Sequence, residues 1–96
     1  MKSLILLVFL ITMFLPNTGF SNCYVDYKAK KNNPLRLHYG ISKINTDLCE
    51  NRNAIALDLE SRLQSSGWIL LKLLDVFGDE GINERKDSAG IYFLKY

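Results

Sequence analysis

Apolar residues outside the N-terminus concentrate in Gly67–Phe77, which reads Gly-Trp-Ile-Leu-Leu-Lys-Leu-Leu-Asp-Val-Phe. Its length, its β-branched and aromatic content and its flanking glycines favour a strand over a helix. Side chains alternate across a strand, so Trp68, Leu70, Lys72, Leu74 and Val76 share one face and Ile69, Leu71, Leu73, Asp75 and Phe77 the other. Both faces are mostly apolar, as in a central strand covered on both sides. Leu35–Ile41 alternates more cleanly. Leu35, Leu37, Tyr39 and Ile41 form its apolar face; Arg36, His38, Gly40 and Ser42 form its polar one. Ala89–Tyr96 reads as a last strand, with Ile91, Phe93 and Lys95 opposite Tyr92, Leu94 and Tyr96. The segment 22–33 is polar, basic and only weakly periodic.

Between the first two of these strands the period changes. Leu48, Ile55, Leu59 and Leu63 lie on one helical stripe, with the stem of Arg52 among them, while Leu57 falls off it. Asp47 with Glu50 has capping-box spacing, and Asn51 or Asn53 could cap a shorter helix. Ser65-Ser66-Gly67 stops the helix, with Gly67 at the left-handed position beyond its end. Leu63, Gly67 and Trp68 should then form one joint, Trp68 packing back on Leu63. The expectation is an α+β domain: a small three-stranded, mainly antiparallel sheet in the order strand, helix, strand, strand, with one helix on one face and one disulfide. The last two strands should pair antiparallel through the charged loop Gly78–Gly90.

The N-terminus adds a compartment. Lys2 precedes the apolar run Leu4–Leu15, and Gly19 and Ser21 occupy positions −3 and −1 of a cut after Ser21. This is the pattern of a secretory signal peptide, residues 1–21, followed by a single domain, 22–96. The alternatives are a retained anchor and lipidation at Cys23, for which Asn22 is a poor preceding residue. Export makes Cys23 and Cys49 an expected disulfide rather than a metal or redox pair. The expected location is periplasmic or secreted.

Charge narrows the function classes. The chain holds 12 Lys+Arg and 10 Asp+Glu. Such a balance, with export, argues against a nucleic-acid binder. The bases are uneven: Lys28, Lys30, Lys31, Arg36 and Lys43 precede residue 47, where Asp26 is the sole acid of the mature part. With Tyr24, Tyr27 and Tyr39 among them, these bases suggest a surface for an anionic envelope ligand; the plainer reading is a solvated basic face. His38 is the sole histidine. No second catalytic or metal-binding group stands beside it, so a surface or hydrogen-bonded role is expected. Asp79, Glu80, Asn83, Glu84 and Asp87 crowd the loop without the spacing of a calcium hand. No nucleophile elbow or phosphate loop appears. No enzyme activity, cofactor or metal is therefore expected.

The segments Tyr27-Lys28-Ala29-Lys30, Pro34-Leu35-Arg36-Leu37-His38-Tyr39-Gly40, Gly67-Trp68 and Tyr92-Phe93-Leu94-Lys95-Tyr96 resemble a group of small exported bacterial proteins of uncharacterised function. The later half is similar to bacterial domains of unknown function with a Gly-Trp-Glu-Leu-Val motif, although Ile69 stands in place of the Glu. A more distant likeness, in size and topology, is to short periplasmic stress-response and biofilm-associated proteins. The resemblance implies a fold and a compartment and brings no catalytic residues. Together these readings point to a binding or protein-interaction module of the envelope. Its reason for a partner, a second copy or an envelope protein, is an apolar strand that one helix covers on only one face. The alternative is a stress-related protein that binds an anionic ligand through Lys28, Lys30, Lys31, Arg36 and His38. Membrane contact is expected only through residues 1–21, where these are retained.

Overall fold

The computed structural model describes residues 21–96. The expected signal peptide lies outside the described residues except for Ser21. Three strands, β1 (Cys23–Lys31), β2 (Arg36–Ile44) and β3 (Ile69–Phe77), form one sheet in the order β2-β1-β3. Helix α1 (Arg52–Gln64) links β2 to β3, and a short helix α2 (Lys86–Ala89) follows β3. Both sheet pairings are antiparallel. The α+β class, the three-stranded antiparallel sheet and the Cys23–Cys49 disulfide are as the sequence suggests.

The strand order is not. The central strand is β1, from the segment whose periodicity looked weak. Cys23, Val25, Tyr27 and Ala29 alternate with Tyr24, Asp26, Lys28 and Lys30, so the period of two is present. Charged residues in the second set mask it. Gly67–Phe77 supplies an edge strand rather than the centre. Ala89–Tyr96 forms no strand pairing beyond a single parallel bridge from Phe93 to Ile41. Positive φ angles at Gly90 (54°) and Leu94 (55°) interrupt its extension. The observed order is therefore strand, strand, helix, strand. β2 and β3 run parallel to each other on either side of β1, with α1 as the crossover, a split β-α-β arrangement.

α1 starts where Asn51 caps it: the side-chain oxygen accepts the Ala54 N–H at 3.0 Å. It ends in a Schellman motif. The Trp68 N–H donates to Leu63 O and the Gly67 N–H to Gln64 O, both at 3.0 Å, with Gly67 at φ 82°. The expected joint of Leu63, Gly67 and Trp68 is thus in place. Ile55, Leu59 and Leu63 are fully buried, and Leu57 is exposed.

This stripe packs on the inner face of the sheet, against Val25, Tyr27, Ala29, Leu70, Leu73 and Val76. The disulfide ties the buried start of β1 to the turn before α1, with Cα atoms 6.0 Å apart. A second, smaller core lies on the outer face. There Tyr24, Ile41, Phe77 and Ala89 are buried together, with Tyr39, Ile82 and Phe93 against them. The segment after β3 therefore covers one end of the outer face.

Candidate functional site: the open half of the outer sheet face

β2 meets the inner core through the face that its sequence marks as polar. His38, Gly40, Ser42 and Ile44 point inward; Leu37, Tyr39 and Ile41 point outward. This corrects the expected orientation, and Tyr27 is the reason. Tyr27 pairs with Gly40 across the strands, and its ring lies over the glycine. A Cβ at Gly40 would stand 2.5 Å from the Tyr27 hydroxyl oxygen. The ring reaches His38, with Tyr27 Oη 2.9 Å from His38 Nε2.

His38 is only 7% exposed. Its ring stacks on Tyr92 at 3.8 Å between centroids and meets the edge of Trp68 at 4.2 Å. Burial, with the Lys95 and Lys31 ammonium groups nearby, pushes its pKa down to about 4. Nδ1 has no hydrogen-bond partner among the described residues. The sole histidine is thus a neutral part of the core rather than a surface group. Lys31 stacks its ammonium 4.8 Å from the Trp68 ring on the same face. Ser42 Oγ donates to Tyr96 O at 2.9 Å, which helps to hold the last residues in place.

The outer face divides at the Asp26 row. Asp26 is buried on the central strand. Its Oδ1 accepts the Asp75 N–H at 2.7 Å, and its Oδ2 accepts the Tyr39 hydroxyl at 2.8 Å. Arg85 Nε lies 3.3 Å from Oδ2. Arg85 also covers the Phe77 ring at 4.2 Å and donates to Gly81 O. Burial and the bond to Asp26 raise the pKa of the Tyr39 hydroxyl. On this side of the row Tyr24, Ile41 and Phe77 are buried beneath the segment that follows β3.

Beyond the row the face is open. Leu37 is 67% exposed, Leu71 49% and Ile69 48%. Leu35, in the turn between β1 and β2, is also exposed. Lys28 and Lys30 stand between these residues on β1, since Lys30 pairs with Leu37 and Ile69, and Lys28 with Tyr39 and Lys72. A shallow depression of about 280 Å³ lies among Lys28, Leu37, Tyr39 and Leu71. Among the described residues, no ion pair involves Lys28, Lys30 or Lys72.

Of the bases singled out by sequence, Lys28 and Lys30 come together here. Lys31 and Arg36, which pair with each other across β1 and β2, fall on the inward-facing parity. Lys72 was missed as part of the basic surface because it lies far along the chain. The register with Lys28 is what brings it in. The acidic residues of the loop disperse: Asp79 accepts bonds from Asn22 and Tyr24, and Glu84 lies beside Arg85. Among the described residues no group of three or more His, Cys, Asp or Glu is arranged to hold a metal ion, and no helix is long and apolar enough to cross a membrane.

The free edge of β3 is a separate surface and a poor template for another strand. The strand carries two register shifts against β1. Such bulges twist an edge away from further pairing. Arg52 also reaches from α1 to the Leu73 and Leu74 carbonyls, at 3.3 and 3.4 Å. Comparison of the chain with protein-family models, with curated proteins and with solved structures gives no match.

Proposed function

We propose that the protein is an exported, non-enzymatic binding module that engages its target through the open half of the outer sheet face. The observation that carries this reading is the exposure of Leu37, Ile69 and Leu71 on one side of the Asp26 row, when the other side of the same face is sealed. Exposed aliphatic side chains grouped on one surface mark interaction sites. The disulfide is consistent with an extracytoplasmic location, where such bonds persist. A non-enzymatic role is supported by the use of His38, Asp26 and Arg85 in packing and ion pairing. The likeness to small exported bacterial proteins agrees with the compartment.

Binding of an anionic naphthalene-sulfonate dye tests the surface. The wild-type chain is expected to enhance dye fluorescence, and a Leu37→Ser/Leu71→Ser variant to lose most of the enhancement. Both sites are exposed, so the variant should fold. Equal enhancement by the two proteins, or none by either, would remove the basis for this reading. Sedimentation at micromolar concentration adds the second reading, self-association, which the same exposed residues favour. A dimer that dissociates in the variant would assign the surface to a second copy.

A further inference from the structure

From the same face we infer that the target is the surface of an anionic lipid bilayer. This rests on the binding-module reading and names its partner. Lys28 and Lys72 stand opposite each other in register, with Lys30 two residues along β1 from Lys28, the next position on the same face. Like charges directly across a pair of strands are destabilising. The acids Asp26 and Asp75 lie in the row that bounds the open half, and Arg85 lies beside both. An external anion is what the three ammonium groups lack.

The apolar residues between them decide which kind of anionic surface fits. Leu35, Leu37, Ile69 and Leu71 are aliphatic and exposed. Protein interfaces favour aromatic residues and Arg and are poor in Lys. Here Trp68, Tyr92 and Tyr27 are turned to the inner face, and lysine is the only cation among the open-face residues. Lys and aliphatic residues together suit a bilayer: the aliphatic side chains enter the acyl boundary while the ammonium groups reach the phosphates along their flexible stems. A second copy docking face to face would bring three lysines from each chain together with no acid between them.

A Leu37→Trp variant of the full chain supplies a probe on the face itself, so retention of residues 1–21 in the bilayer does not obscure the result. Its fluorescence is read with vesicles of brominated phosphatidylglycerol and of brominated phosphatidylcholine. Quenching is expected with the first and not with the second. At about 1 kcal/mol for each lysine near an anionic surface, Lys28→Gln/Lys30→Gln/Lys72→Gln should raise the lipid concentration for half-quenching on the order of 100-fold. High salt should act in the same direction. Absence of quenching by phosphatidylglycerol, or equal quenching by the two lipids, overturns the inference. If vesicles fail while the dye still binds at Leu37 and Leu71, only the lipid assignment falls. If both fail, the binding-module reading falls with it.

Discussion

Protonation of His38 should cost the protein much of its stability, and the structure gives the size of the effect. The imidazole is enclosed by Tyr27, Trp68, Tyr92 and Tyr96, and its nearest charged neighbours are the Lys31 and Lys95 ammonium groups. Burial is the main reason its pKa falls from 6.5 to about 4, and the two lysines add to it. The unfolded chain therefore takes up a proton between these values that the folded chain refuses. The contribution is complete above pH 6.5, declines as pH falls and is gone below about 4. At about 1.4 kcal/mol per tenfold change in proton affinity, the full loss is roughly 3 kcal/mol, and relaxation around the ring would reduce it. Urea unfolding followed through Trp68 fluorescence measures this at pH 7.5 and 4.5. His38→Phe keeps an aromatic ring in the stack and removes the imidazole's titration, with every other ionisable group left in place. Wild type should lose about 2 kcal/mol more than His38→Phe between the two pH values. Equal losses would refute the claim that a neutral His38 is built into the core.

Three further outcomes follow from the same packing. Gly40→Ala should destabilise by about 2–3 kcal/mol in urea melts, because its Cβ would meet the Tyr27 ring and overpacked cores carry such penalties. A Tyr27→Phe/Gly40→Ala pair removes only the hydroxyl and should recover part of that loss. Asp26→Ala should cost about 2–4 kcal/mol, because it leaves the Asp75 N–H unpaired and Arg85 without its buried partner. A drop in midpoint no larger than that of an exposed substitution would contradict the central place given to Asp26. Reduction of the disulfide should lower stability by roughly 3 kcal/mol by the loop-entropy argument. Intact mass should show the oxidised chain two hydrogen atoms lighter than the reduced one, and two freely alkylated thiols without reductant would contradict the bond.

The helix was legible in the sequence because its signals are local. The Ile55, Leu59 and Leu63 stripe and the Gly67 stop depend on residues within a few turns of each other. The sheet was harder because its order depends on distant contacts. Lys28 and Lys30 gave β1 the composition of a loop, since solvent on the open half-face lets lysine occupy a central strand. His38 and Gly40 gave the inner face of β2 the composition of an outer one. Only the register with Tyr27 shows why a glycine and a histidine belong there. The two-sided hydrophobicity of Gly67–Phe77 was real but had another cause. Leu70, Leu73 and Val76 serve the inner core, and Phe77 serves the outer one. Ile69 and Leu71 remain exposed, and neither the helix nor the final segment reaches them.

That division also explains why recognition should use a face of the sheet rather than its edge. An apolar edge strand such as β3 invites pairing with another chain. Its two bulges and the Arg52 bonds to the Leu73 and Leu74 carbonyls oppose this. The first bulge is held open by Asp26, whose carboxylate takes the Asp75 N–H. The same carboxylate draws in Arg85 and Tyr39 and so fixes where the sealed half of the face ends. One buried acid therefore helps to close the edge and to delimit the open face. Loss of Asp26 should uncover the β3 edge and the sealed half of the face, so an Asp26→Ala chain should self-associate more readily than one altered only at Leu37 and Leu71.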